Sequence, residues 1–156
     1  MLTALGYHLK RWLMAQVDKS VLVTQSAQQM FELVDAVEKY PEFLPWCAAS
    51  ECTFRDAQIT RATLHINYRG IRQKFSTENT KTTPQLMRIK LIEGPFRTLE
   101  GAWRFTDLAG AGCKVELSLR YEFSSHLLEK LVGPVFGFIA NSMVDAFVKR
   151  AHGVYG

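Results

Sequence analysis

The chain has 156 residues and a mass of 17.8 kDa, with 47% hydrophobic and 22% charged residues. A chain of this size and composition folds as one domain, which excludes wholesale disorder and a pair of large domains. The net charge of +4 weakly favours anionic partners, such as RNA or an acidic membrane surface. We find no apolar run near the roughly 20 residues that a membrane-spanning helix requires.

Three cysteines, Cys47, Cys52 and Cys113, cannot all pair with one another. Their spacing matches no zinc-binding pattern, so no metal site is predicted. Reduced thiols are typical of cytosolic proteins, and we therefore expect a cytoplasmic location. Peripheral contact with the inner face of the membrane stays open as an alternative.

The first thirteen residues read MLTALGYHLKRWL, with two Lys or Arg residues and no acid. The apolar part precedes the basic part, which is the reverse of a secretory signal. As a helix, the segment would align its leucines in one stripe, so a membrane-surface anchor stays open beside a loose tail or an upstream start codon. The core pattern begins at Val17. We predict an N-terminal extension over residues 1–16 and a single domain over residues 17–156.

Residues 18–24 (DKSVLVT) have the composition of a first strand. Ser26 followed by Gln29 is a capping box, and apolar residues at helical spacing predict a helix from there to about Glu38. Two prolines lie between Tyr40 and Cys47 and allow at most one helical turn before the chain extends again.

From Ala49 to Phe123 polar and apolar residues mostly alternate with a period of two, and Gly-rich or Pro-containing turns interrupt the alternation. This pattern predicts an antiparallel sheet with one apolar and one wet face. A C-terminal helix with an apolar stripe then runs from a cap at Ser124 or Ser125 to about His152. We expect a kink or a restart at Pro134, which lacks the N–H that a helix needs.

These elements predict an α+β fold. A curved antiparallel sheet of about six to seven strands wraps around a long C-terminal helix, and short helices follow the first strand.

Catalysis is not predicted. The sequence contains no nucleophile-elbow, zinc-protease or phosphate-loop motif. His65 falls on the wet face of its strand, where it is badly placed to act as a base inside a cavity. A cyclase needs titratable groups that converge on its cavity, and the inward residues are nearly all apolar.

Bulky apolar residues on the inward face predict either a filled core or a cavity for an apolar ligand. Phe43, Leu44 and Trp46 lie between two prolines, where they would form a rim or plug one end of the core. Trp46 or Tyr68 could donate a hydrogen bond to a ligand's polar head. The candidate tunnel and rim residues are Phe43, Leu44, Trp46, Tyr68, Phe75, Phe96, Trp103, Phe105, Val132, Phe136, Ile139 and Met143.

Ten Lys or Arg residues stand against four acids between Arg55 and Arg104. If the strands pair in sequence, alternation places seven of the ten on the sheet's outer face. Such a patch suits rRNA phosphates, anionic lipid headgroups or plain solvation. The seven residues are Arg61, Arg69, Arg72, Lys74, Arg88, Lys90 and Arg104.

Three segments carry a family signal: residues 40–47 (YPEFLPWC), residues 93–105 with EGPF and WRF, and residues 143–151 (MVDAFVKRA). Together they resemble the START-like, or helix-grip, superfamily of polyketide cyclases/dehydrases. Within it, the resemblance is to the family of coenzyme Q-binding proteins and RatA ribosome association toxins. It covers about Val17 to Tyr155 and implies a hydrophobic tunnel between the sheet and the C-terminal helix.

The resemblance implies two functions. In the first, the protein is a non-enzymatic lipid chaperone that binds ubiquinone or a related lipid in the tunnel and supports respiration. No cofactor is required, and ubiquinone would be a bound ligand. The alternative is a RatA-type toxin that binds the large ribosomal subunit, blocks subunit association and inhibits translation initiation.

The partners expected from these two functions are a hydrophobic small molecule and, in the alternative, the large ribosomal subunit. A transient anionic membrane surface is a further expected partner. No DNA partner is predicted.

Overall fold

The computed structural model describes residues 14–156, so most of the predicted N-terminal extension, including its leucine stripe, lies outside the described residues. The strands are β1 (Met14–Val23), β2 (Cys47–Arg55), β3 (Ile59–Tyr68), β4 (Ile71–Thr82), β5 (Leu86–Glu93), β6 (Phe96–Asp107) and β7 (Cys113–Phe123). The helices are α1 (Ala27–Asp35), a 3₁₀ helix (Val37–Glu42) and α2 (His126–Tyr155).

The seven strands form one sheet in the order β1-β7-β6-β5-β4-β3-β2, and every neighbouring pair is antiparallel. Helix α2 packs against the apolar face of this sheet and also contacts α1. Its buried stripe includes Val132, Phe136, Ile139 and Phe147. The predicted α+β architecture, a long antiparallel sheet with a long C-terminal helix, is confirmed.

The start of β1 differs from the prediction. The strand begins at Met14 rather than at Asp18, because residues 14–16 pair with residues 120–122 of β7. Strand β1 therefore includes residues on the N-terminal side of the predicted domain boundary at Val17.

The predicted capping box is present at the start of α1. The Ser26 hydroxyl accepts from the backbone N–H of Gln29, and the Gln29 side chain accepts from the backbone N–H of Ser26. The helix ends at Asp35, earlier than predicted. A 3₁₀ helix, Val37–Glu42, which contains Pro41, follows in place of its predicted last turn.

The predicted restart of α2 at Pro134 is wrong, because α2 is a single 30-residue helix. Pro134 and Lys130 are both exposed, so water can donate a hydrogen bond to the Lys130 carbonyl that proline leaves without an N–H. The expectation that no segment is long and apolar enough to span a membrane is wrong for α2, which by length and composition alone could cross a bilayer. Buried core helices pass this test as well.

Candidate ligand cavity and basic outer face

A cavity of about 60 Å³ lies between the inner face of the sheet, the 3₁₀ helix and α2. Four of the predicted tunnel residues line it: Phe75, Trp103, Phe136 and Met143. Pockets that hold drug-sized ligands usually measure about 300–1,000 Å³. The cavity in this state therefore has room for a few water molecules, and a larger ligand requires its walls to move.

Polar side chains reach the cavity as well, and the sequence analysis missed them. Thr77 and Asn79 follow Phe75 on β4 with a period of two, so all three face inward. Asn79 is 7% exposed, and its Oδ1 atom has no hydrogen-bond partner among residues 14–156. The alternation on β4 carried this signal, but only apolar residues were assigned to the inner face. The cavity thus combines apolar walls with one unsatisfied acceptor.

Tyr40 also lines the cavity. Its hydroxyl donates a hydrogen bond to the carbonyl of Val34. Burial, reinforced by the negative charge of Asp35, raises the pKa of Tyr40 well above its usual range. The phenol therefore stays protonated and acts as a fixed donor.

The three predicted rim residues do not share one environment, because two are buried in the core and one is half-buried. Leu44 and Trp46 are each 1% exposed, so they plug the core and do not border an opening. Phe43 is half-buried and packs edge-on against Phe147, with the Arg150 guanidinium 5.0 Å from its ring centre. The short 3₁₀ helix directs Leu44 and Trp46 inward, which is the second of the two alternatives that the sequence left open.

The remaining predicted tunnel residues do not line the cavity. Tyr68 lies at the end of β3, where its ring packs against Phe138. The others are buried core residues outside the cavity wall, namely Phe96, Phe105, Val132 and Ile139.

The outer face of the sheet carries Arg72, Lys74, Arg88, Lys90 and Arg104 as exposed side chains. Within the described part of the chain, none of the five lies within 4.0 Å of a carboxylate. They are therefore available to an anionic partner.

Two further residues predicted for this basic face, Arg61 and Arg69, differ from these five in charge pairing or in position. Arg61 is on the outer face, but its Nε atom lies 2.8 Å from Oε2 of Glu78, so its charge is paired. Arg69 is not on the outer face. It occupies the β3–β4 turn with a φ of 51°, and its guanidinium lies over the ring of Tyr68. A residue in a left-handed turn does not follow strand alternation, which is why the prediction failed there.

A hollow of about 530 Å³ on the outer face concentrates the unpaired charge. We call it the basic groove, and its cations are Arg88 and Lys90 on β5, Arg104 on β6 and Arg120 on β7. Glu100 is the acid in its wall. Arg120 was missed because it lies beyond the stretch in which basic residues were counted, although it has the polar parity of its strand.

Small residues, Gly101, Ala102 and Ser118, line the groove between these long side chains. A Cβ atom on Gly101 would overlap the carbonyl oxygen of Ser118. Only glycine therefore permits this close approach of β6 and β7.

The described residues contain no group of three or more His, Cys, Asp or Glu side chains that could hold a metal ion. The three cysteines are free. Burial raises the pKa of Cys47 and of Cys113 to about 11, so both remain thiols at neutral pH.

The family model for polyketide cyclase / dehydrase and lipid transport matches residues 23–148. The chain belongs to this family. Over 144 residues it is 44% identical to the ribosome association toxin RatA of Vibrio cholerae, a match covering 92% of this chain and 99% of that relative. It is 37% identical over 155 residues to RatA of Escherichia coli K12, covering 99% and 98%.

A more distant relative is the mitochondrial coenzyme Q-binding protein COQ10 homolog B of Xenopus laevis. It is 29% identical over 145 residues, covering 90% of this chain and 59% of that protein. The family resemblance read from the sequence is therefore confirmed, including both of its branches.

Solved structures confirm the START-like fold. A START superfamily protein from Mycobacterium smegmatis matches with a TM-score of 0.71 and 19% identity, covering 89% of this chain and 98% of that one. The Zhui aromatase/cyclase from a Streptomyces species matches with a TM-score of 0.74 and 16% identity, covering 89% and 94%. At these identities the likeness shows the fold alone. The expectation that this chain is not an enzyme stays a prediction.

Proposed function

We propose that the protein is a ribosome association toxin that binds rRNA of the large subunit through its basic groove. The observation that carries this proposal is the 44% identity to a toxin of that name over nearly the whole of both chains. This is the alternative function of the sequence analysis. The relative named for coenzyme Q binding is less similar and matches over only 59% of its length.

The charge distribution supports the proposal. The basic groove gathers four cations that have no carboxylate partner among the described residues, against the single acid Glu100. Arg88 and Lys90 are about 7 Å apart along β5, and neighbouring strands lie about 5 Å apart. The cations thus cover a patch about 10 Å wide, which is sufficient to contact several phosphates of a folded RNA surface.

Reversing three charges of the groove, with Arg88→Glu, Lys90→Glu and Arg104→Glu together, is expected to weaken binding to purified large ribosomal subunits at least tenfold. Each lost phosphate contact means that fewer counterions are released from the RNA on binding. The affinity of the variant should therefore also fall less steeply as the salt concentration rises. The measurement is co-sedimentation through sucrose at several salt concentrations.

The matched control carries Lys39→Glu, Lys130→Glu and Lys149→Glu, three exposed lysines outside the groove. It has the same net charge as the test variant and should bind like the natural protein. A groove variant that binds as tightly as this control would remove the groove from the proposal. Failure of the natural protein to bind subunits at all would overturn the function itself.

A second function is favoured by the unsatisfied Oδ1 atom of Asn79. We propose that the cavity binds an apolar ligand whose polar head donates a hydrogen bond to Oδ1 of Asn79, such as the reduced, quinol form of ubiquinone or a related lipid with a hydroxyl head. An apolar wall with a few placed polar groups is typical of small-molecule sites. Met143 lies in the wall, and its flexible, unbranched side chain is the kind that can move to enlarge the cavity.

Asn79→Leu is expected to weaken binding of a short-chain ubiquinol at least tenfold, because the quinol hydroxyl loses its acceptor. Stability should not fall, because the change removes a buried acceptor that has no partner. Fluorescence titration and thermal unfolding measure the two effects. Asn67→Leu, an exposed asparagine of β3, is the control. Absence of quinol binding by the natural protein, and of lipid in native mass spectra, would contradict the second function and leave the first intact.

A further inference from the structure

Helix α2 has a second apolar face, which is exposed. Leu127, Leu131, Pro134 and Phe138 recur at intervals of four, three and four residues, so they lie on one side of the helix. Leu127 is 66% exposed, Leu131 55% and Phe138 44%. Farther along the helix the same face becomes polar with Asn141, Asp145 and Lys149. The exposed apolar face is thus confined to the first half of α2.

The β3–β4 turn extends this face. The ring of Tyr68 lies 5.5 Å from that of Phe138 in an edge-to-face arrangement. The Arg69 guanidinium lies 5.0 Å from the ring centre of Tyr68 and 5.6 Å from that of Phe138. We call the surface formed by Leu127, Leu131, Pro134, Phe138 and Tyr68 the apolar patch.

Positive charge accompanies the apolar patch. Lys130 is exposed between Leu127 and Leu131, and Arg69 caps the two aromatic rings. Between His126 and Phe138 the helix has a single acid, Glu129, which is half-buried and lies 3.8 Å from Nδ1 of His126. A partner that covers the patch therefore meets apolar side chains together with cations.

We propose that the apolar patch docks on an anionic lipid bilayer. Leucine and phenylalanine side chains enter the boundary between headgroups and acyl chains, while Lys130 and Arg69 lie among the lipid phosphates. The stripe from Leu127 to Phe138 is about 16 Å long, so the helix rests in the plane of the surface. Attachment through so few side chains is reversible. This surface is separate from the basic groove, and the inference does not depend on the ribosomal function.

The test uses the full chain and two kinds of vesicle: phosphatidylcholine alone, and phosphatidylcholine mixed with phosphatidylglycerol. The natural protein is expected to co-sediment with the mixed vesicles and to be released by salt. The double variant Leu127→Ser and Leu131→Ser should bind them at least tenfold more weakly. Lys130→Glu, which leaves the apolar side chains in place, should also weaken binding to the mixed vesicles.

The matched control is Leu22→Ser with Val154→Ser, two residues that are 68% and 50% exposed elsewhere on the surface. It should bind vesicles like the natural protein, and circular dichroism should show that all variants are folded. Equal vesicle binding by the Leu127/Leu131 variant and this control would overturn the proposal. It would also be overturned if the natural protein ignored mixed vesicles, or if size exclusion showed a dimer that the Leu127/Leu131 variant abolishes, since a second copy would then cover the patch.

The proposed bilayer contact and the proposed ribosomal function can be disproved independently of each other. The Leu127/Leu131 variant is expected to retain its affinity for ribosomal subunits, because its changes lie on α2 whereas the basic groove lies on β5, β6 and β7. Loss of vesicle binding with full ribosome binding supports the bilayer contact.

Discussion

Phe147→Ala is expected to lower the free energy of unfolding by about 3–5 kcal/mol. Phe147 has no exposed surface and lies on α2. Its ring packs edge-on against Tyr40 and Phe43 at centroid distances of 5.3 and 5.1 Å, and against Trp103 at 5.3 Å. One side chain thus joins α2 to the 3₁₀ helix segment and to β6. Truncation removes these contacts and leaves a void that the rigid sheet cannot close.

Urea unfolding followed by circular dichroism measures this change, which corresponds to a loss of about 10–15 °C in Tm. Phe138→Ala is the matched control, since it removes an exposed phenylalanine from the same helix and should cost less than about 1 kcal/mol. A similar cost for the two variants would show that Phe147 does not join the elements as described.

Asp35→Ala is expected to lower the free energy of unfolding by about 3 kcal/mol. Oδ2 of Asp35 lies 3.2 Å from Nζ of Lys81, whose side chain is only 5% exposed. Oδ1 accepts a hydrogen bond of 2.7 Å from the Thr60 hydroxyl, and Arg55 lies 3.5 Å from Oδ2. Removing the carboxylate leaves the Lys81 ammonium buried without its carboxylate partner. The partial exposure of Asp35 places the expected cost at the lower end of the range for buried pairs.

A double-mutant cycle tests the physical cause. Lys81→Met removes the stranded charge and keeps the aliphatic stem, so the variant with both changes should be more stable than Asp35→Ala alone by at least about 1 kcal/mol. Thermal unfolding of the four proteins provides the comparison. If the two single costs simply add, the ion pair contributes nothing and the effect of Asp35→Ala must come from Thr60 or Arg55.

Local patterns predicted much of the fold. The Ser26–Gln29 capping box and the alternation of residues 49–123 are visible in the sequence because each depends on neighbours a few residues apart. Local patterns did not predict the residue at which β1 begins. Met14 belongs to the strand because it pairs with Glu122, a contact between distant parts of the chain.

The candidate sites were predicted less completely, for specific reasons. Asn79 was not among the predicted cavity residues, because only apolar residues were assigned to the inner face, although its parity matches that of the buried Phe75. Arg69 was placed on the outer face because the alternation was extended into a turn with positive φ. Arg120 has the polar parity of its strand, and β7 pairs with β6, but Arg120 lies beyond the stretch in which basic residues were counted.

The comparisons with known proteins also changed which of the two functions is favoured. The motifs in residues 40–47, 93–105 and 143–151 belong mainly to the core, and the quinone carrier and the toxin share that core. The sequence alone favoured the carrier, whereas two relatives that match over nearly their full length are named as RatA toxins. Because the core is common to both functions, only the outer surface and experiment can distinguish the quinone carrier from the toxin.

The pairing of β1 with β7 has a consequence for synthesis. Val17 of β1 pairs in register with Leu119 of β7. The first strand to leave a translating ribosome therefore has no partner in the sheet until the last strand has been made. Arg120 enters the basic groove at the same late step. A nascent copy therefore lacks the complete basic groove until β7 has been made and has paired with β6.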